Sequence, residues 1–138
     1  MHLKAGGSDV FPYIATMSPR EIVKRWVDAF NRADVEALSN LYAEEAINHQ
    51  MPNEPIIGKA AIKQMFAGEF AAAPEMHCIP VQIIAEGDWA VLEWKDPKHF
   101  NGCGFFEIKN GLIQTQRGYW DKLKFFKLYN IQPTDDVV

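Results

Sequence analysis

The chain has 138 residues, enough for one domain with a real core and no need of disulfides or metals to hold it. Apolar residues make up 48% and charged residues 23%, the balance of an ordinary globular protein. A net charge of -4, with lysines and arginines scattered, excludes a stripe that tracks phosphates, so no nucleic-acid partner is expected.

Residues 1–17 read as an N-terminal extension, either docked or loose, with Met17 a candidate start. They lack the long apolar stretch of a secretory signal. No apolar run is long enough to span a bilayer, so no membrane partner is expected. Cys78 and Cys103 set no disulfide framework and read as free thiols in apolar surroundings, which fits a reducing cytoplasm.

Ser18-Pro19-Arg20-Glu21 is a helix start, with Ser as cap, Pro at the first position and Glu reaching back. Ile22, Val23, Trp26, Val27 and Phe30 follow at helical spacing. Asn31-Arg32-Ala33 breaks that helix, and Asp34 caps a second one with Leu38, Leu41 and Tyr42 facing inward. A short strand is predicted around Ala46 to Gln50, then a turn at Pro52-Asn53-Glu54-Pro55. Gly58 opens a third helix whose buried side is Ile62, Met65, Phe66 and Phe70.

After Pro74 the period changes from 3.6 to 2. Strands are predicted from His77 to Ala85 and from Trp89 to Asp96, joined by Glu86-Gly87-Asp88 and ended by Pro97. Cys103 to Lys109 and Leu112 to Trp120 flank Asn110-Gly111, a strong short hairpin signal. Asp121 caps a short terminal helix with Leu123, Phe125 and Phe126. Helices first and antiparallel strands after make an α+β fold, with helices laid on one side of a curved sheet.

The segment from Trp89 to Asp96 carries the main functional clue. Ala90, Leu92, Trp94 and Asp96 share one face, whereas Glu93 and Lys95 lie on the other. Asp96 therefore goes with the interior face, where a carboxylate is costly unless it is paired or used. Two readings stand: a general base in an apolar pocket, its pKa raised by burial, or an Asp-Pro turn residue at a strand end. Asn48 and Gln50 alternate onto one face, where two amides hold either a water, a substrate carbonyl or the backbone at the strand end. His77 shares the alternation of Ile79, Val81 and Ile83 and is either a hydrogen-bonded core histidine or a catalytic one. His49, His77 and His99 show no local metal-ligand spacing, so no metal is expected.

Trp26, Phe30, Met65, Phe66, Phe70, Trp94 and Trp120 are either plain core or, together, the lining of a cavity for an apolar ligand. Gly102, Gly104 and Gly118 interrupt strands, at bends or close approaches. Arg117 and Tyr119 alternate opposite Gln116, Gly118 and Trp120.

The element order and three strings resemble the SnoaL-like branch of the nuclear transport factor 2-like superfamily. Those strings are Ile47-Asn48-His49-Gln50-Met51-Pro52, Ile57-Gly58-Lys59-Ala60-Ala61-Ile62 and Gly118-Tyr119-Trp120-Asp121. The branch includes limonene-epoxide hydrolases, polyketide cyclases and ketosteroid-isomerase relatives. The likeness covers a domain of residues 18–130, leaving 131–138 as a C-terminal tail. It implies a cone-shaped, cystatin-like roll in which three helices pack on a strongly curved, mainly antiparallel sheet around an internal pocket. It also implies that Gln116, Gly118 and Trp120 face inward and that the outer sheet face forms a homodimer.

Carried over residue by residue, the Tyr and Asn that position water in limonene-epoxide hydrolases fall on Asn48 and Gln50. Their Arg and Asp fall on Trp94 and Asp96, and their second Asp on Gly118. One of three acid–base groups is kept, which counts against epoxide hydrolysis by that mechanism. The expectation is a pocket for a small apolar molecule and a cofactor-independent isomerase, cyclase or hydratase type of enzyme. Asp96 is the expected base, with Asn48, Gln50, His77 and Gln116 as helpers. A non-catalytic ligand-binding module and a dimerisation piece with a filled interior are the alternatives.

Overall fold

The computed structural model describes residues 17–132. Most of the expected N-terminal extension (1–16) and of the tail (133–138) lies outside the described residues. The elements are α1 (Pro19–Asn31), α2 (Val35–Ser39), β1 (Tyr42–Gln50), β2 (Ile56–Ile57), α3 (Lys59–Ala72), β3 (Ile79–Glu86), β4 (Trp89–Asp96), β5 (Phe100–Lys109), β6 (Leu112–Trp120) and α4 (Lys122–Leu128). The six strands form one open, curved sheet in the order β2-β1-β6-β5-β4-β3. All neighbours are antiparallel except β1 and β6. The fold is α+β as expected, with four helices among the described residues once the short α4 is counted.

Local chemistry sets the ends of these elements. Ser18 Oγ accepts from Glu21 N at 3.2 Å while Glu21 Oε1 accepts from Ser18 N at 2.8 Å, the reciprocal pair of a capping box. Asp34 and Asp121 cap α2 and α4 through bonds from Ala37 N and Lys124 N, each 3.0 Å. Between β5 and β6, Asn110 and Gly111 both hold positive φ, 56° and 75°, the backbone of a two-residue type I′ hairpin turn.

α1 packs its apolar stripe on β3, β4 and β5, and α3 lies against α2, β1 and β2. The core between helices and sheet is centred on Ile22, Val23, Leu38, Ile62, Leu92, Phe106 and Ile113, all nearly or fully buried. Each such side chain contributes about 1.5–3 kcal/mol by leaving water.

Two sequence expectations are corrected. Tyr42 belongs to β1, not to α2, and β1 begins there instead of at Ala46. The segment Tyr42-Ala43-Glu44-Glu45-Ala46 has little strand propensity, and its pairing with β6 is irregular: Tyr42 faces Ile113 and Ile47 faces Thr115. Tertiary pairing, not local preference, makes it a strand. In β3 the expected alternation from His77 fails. The strand starts at Ile79, and a bulge between Pro80 and Gln82 shifts the face, leaving Val81 53% exposed.

Candidate functional site

Between the helices and the concave face of the sheet lies a hollow of about 490 Å³. That is within the roughly 300–1,000 Å³ usual for small-molecule sites. α1 contributes Trp26 and Phe30, α3 Met65, Phe66 and Glu69, and β4 Leu92, Trp94 and Asp96. β5 adds Phe100 and Phe106, β6 Gln116, Gly118 and Trp120, and α4 Phe125 and Phe126. The rings brace one another: Trp26 stacks on Phe30 at 5.0 Å and meets Phe106 edge-on at 5.4 Å. Three of the four tryptophans of the chain therefore face this space.

Behind the sheet side of the hollow runs a chain of hydrogen bonds whose donors all lead to one atom. Trp26 Nε1 donates to Tyr42 Oη at 2.9 Å, and Tyr42 in turn donates to Gln116 Oε1. From the other end, Trp120 Nε1 donates to Gln50 Oε1 at 2.7 Å and Gln50 Nε2 to Asn48 Oδ1. Asn48 Nδ2 then donates to the same Gln116 Oε1 at 3.0 Å. With its oxygen held from two sides, Gln116 must turn its amide nitrogen the other way. Among the described residues that nitrogen has no acceptor, yet no buried side-chain nitrogen or oxygen is left without a partner. The Gln116 Nε2 group is thus open to the hollow, in a side chain only 4% exposed. Burial, more than anything else, raises the pKa of Tyr42, so it stays a donor in this chain.

Asp96 is buried, as its strand face requires, with 3% exposure. Its carboxylate is well supplied with donors. His77 N reaches Oδ1 at 3.0 Å, Lys98 N reaches Oδ2 at 3.0 Å, and Tyr129 Oη lies 2.8 Å from both oxygens. Tyr129 keeps its proton because burial, the hydrogen bond to Asp96 and the Asp96 charge all raise its pKa. Lys98 Nζ sits 4.4 Å over the Tyr129 ring. The arrangement ties the end of β4 to the chain after α4 and to the entry of β3. Nearby Cys78 has its thiol pushed up to about 12, by burial first and by Asp96 second.

Glu69 is the second carboxylate on the wall, half-buried on α3. No hydrogen bond or ion pair engages it among the described residues, and burial pushes its carboxyl up to about 7. The sequence reading passed over both Glu69 and Tyr129. Glu69 falls three positions after Phe66 and seven after Ile62, so it sits on the apolar stripe of its helix. That is the helical counterpart of the pattern that singled out Asp96. Tyr129 carries no such signal, since only the return of the chain after α4 brings it to Asp96.

Of the other candidate residues, Trp26, Phe30, Met65, Phe66, Trp94, Gln50, Gln116 and Trp120 reach the wall. Asn48 and Phe70 do not. Asn48 is 0% exposed behind Gln50 and Gln116, and Phe70 packs on Phe30 at 5.2 Å. His77 borders the hollow with an exposed side chain, and its bond to Asp96 comes from its backbone. Two glycines border the wall closely. A Cβ at Gly118 would run into the Gln50 carboxamide, with Cδ at 2.7 Å. A Cβ at Gly102 would meet the Trp94 ring, with Cε2 at 2.8 Å. Gln50 thus lies against Gly118, and Trp94 lies over Gly102.

Among the described residues, no group of three or more His, Cys, Asp or Glu is arranged to hold a metal ion. No helix there is long and apolar enough to cross a membrane.

A sequence profile described as a SnoaL-like domain matches residues 23–116. No curated protein sequence matches the chain. Solved structures share the fold at low identity. A protein of ketosteroid isomerase-like fold from Catenulispora acidiphila, in complex with trimethylamine, is 17% identical with a TM-score of 0.73, over 84% of this chain and 96% of that one. The epoxide hydrolase/cyclase-like enzyme SalBIII, of pyran ring formation in salinomycin, is 21% identical with a TM-score of 0.68, over 76% and 92%. TerC, co-crystallised with polyporic acid, is 15% identical with a TM-score of 0.70, over 81% and 98%.

Proposed function

We propose that this chain, which belongs to the SnoaL-like family, binds a small, largely apolar molecule in the hollow and transforms it without a cofactor by general acid–base chemistry. The reaction type is isomerisation, cyclisation or hydration. The observation that carries this reading is the convergence of carboxyl and carboxamide groups from α3, β4 and β6 on a space lined mainly by apolar side chains, many of them rings. An apolar surround strengthens such groups toward a bound ligand, because water does not compete for them. Crystallisation of two structural neighbours with small organic molecules, trimethylamine and polyporic acid, supports a ligand-binding interior.

A second reading, ligand binding without turnover, draws on Asp96. Its two oxygens are already occupied by three donors of the protein itself, which fits a structural role. The expected homodimer is carried here as a proposal, through the outer sheet face where Ile84 and Tyr119 are 55% and 42% exposed.

The test of occupancy is a titration of the 15N-labelled chain with indane, a compact hydrocarbon. Saturable amide shifts are expected at Phe66, Glu69, Trp94 and Gln116 and not at Ile84. Shifts confined to the outer face, or none that saturate, contradict the reading.

A further inference from the structure

We propose that Glu69 is the general base of the acid–base reading above, on which this inference rests, and that Gln116 Nε2 is the donor that polarises the substrate, so that the hollow takes an enolisable carbonyl compound. Two independent observations point to this pair. Glu69 is a carboxylate on an apolar wall with no bonding partner among the described residues. Gln116 is a nearly buried amide whose oxygen is pinned by Tyr42 and Asn48 and whose N–H groups face the same space unpaired.

The contrast with Asp96 decides which carboxylate is the base. Both oxygens of Asp96 are already engaged by three donors, two of them fixed by the backbone, so this carboxylate is committed to the protein. Glu69 has none, so its affinity for a proton is set by burial and lies near neutral, where a base is both deprotonated and strong enough to work. The donor is tuned as well. An amide that accepts two hydrogen bonds at its oxygen is polarised and donates more strongly from its nitrogen.

The chemistry balances within the site. The Glu69 carboxylate takes a proton from the carbon next to the carbonyl. The C–H electron pair becomes the new C=C bond, and the carbonyl π pair moves to oxygen, which Gln116 Nε2 holds by a hydrogen bond. The proton then returns from the Glu69 acid to carbon, at the same or a conjugated position. In a ring closure the enolate carbon attacks a second carbonyl, and the proton goes to the new alkoxide.

The test uses the full chain and 2-indanone, a compact bicyclic ketone with acidic hydrogens beside its carbonyl. Exchange of those hydrogens in heavy water is followed by proton NMR, and binding is followed by tryptophan quenching. Exchange above the buffer rate is expected, rising through pH 7 as Glu69 loses its proton. Glu69→Gln lowers it by about a hundredfold or more. Gln116→Glu keeps the acceptor for Tyr42 and Asn48 but loses the donor, and lowers exchange by about 10²–10³. Both variants keep the circular dichroism of the native chain and still quench. Glu86→Gln, at an exposed strand end, exchanges like the native chain.

Saturable quenching with exchange that does not depend on Glu69 overturns this inference and leaves the pocket reading standing. A pH step that survives in Glu69→Gln assigns the base to another group, His77 included, and overturns it too. Absence of quenching overturns both readings.

Discussion

The two carboxylates of the hollow stand on different walls and have opposite surroundings. At the β4 end, Asp96 is almost fully buried yet meets two backbone N–H groups and the Tyr129 phenol. On α3, Glu69 is less buried and meets no donor among the described residues. Burial alone does not decide what these two groups do. What differs is whether the protein replaces the water each lost on folding. Asp96 received that replacement and holds the structure. Glu69 did not, among the described residues.

The sharpest way to break this contrast is Asp96→Ala. Three donors are then stranded, each at about 1–3 kcal/mol, and the whole change costs about 3–5 kcal/mol. Urea unfolding of the variant and the native chain measures the difference. A cost below about 1 kcal/mol removes Asp96 from its structural role.

Glu69→Gln moves stability the other way. Folding raises this carboxyl from the ordinary 4.5 of a free glutamate to about 7. The folded state therefore binds the proton more tightly than the unfolded one between those values, and native stability falls as pH rises through that window. Below pH 4.5 both states hold the proton and nothing is lost; above 7 the loss is complete. Glutamine carries no charge at any pH. The variant is thus more stable by about 2 kcal/mol at pH 8, allowing for partial solvent contact, and the gain vanishes by pH 4. Thermal melts across that range check both the size and the sign.

Tyr129→Phe comes next in size. It removes one charge-assisted bond to Asp96 and costs about 1.5–2 kcal/mol. The smallest effect is expected at Asp121→Ala, which removes the α4 cap at about 1 kcal/mol and leaves both carboxylates as they are. If Asp121→Ala destabilises more than Tyr129→Phe, the β4 end is not held as described.

Much of this was legible in the chain itself. Strand period put Asp96 inside, because Glu93 and Lys95 mark the other face, and the Ser18 box and the Asn110-Gly111 turn set their elements by local chemistry alone. The early start of β1 is not legible, because Ala43, Glu44, Glu45 and Ala46 have low strand preference and form an irregular stretch between Tyr42, paired with Ile113, and Ile47, paired with Thr115. Glu69 was passed over although it lies on the stripe of Ile62 and Phe66, since alanines at 60, 61, 67, 71 and 72 blur the edges of that stripe. The Gln116 amide orientation was out of reach. It follows from donors on two separate elements, Trp26 on α1 and Tyr42 and Asn48 on β1, meeting at β6.

The most direct test of the central contrast is a carbon-13 NMR titration of the glutamate side-chain carboxyls in the full chain, with Glu69→Gln supplying the assignment. The account predicts a Glu69 midpoint near 7. A midpoint within the ordinary glutamate range would mean that water or a protein donor reaches this carboxylate, and would contradict it.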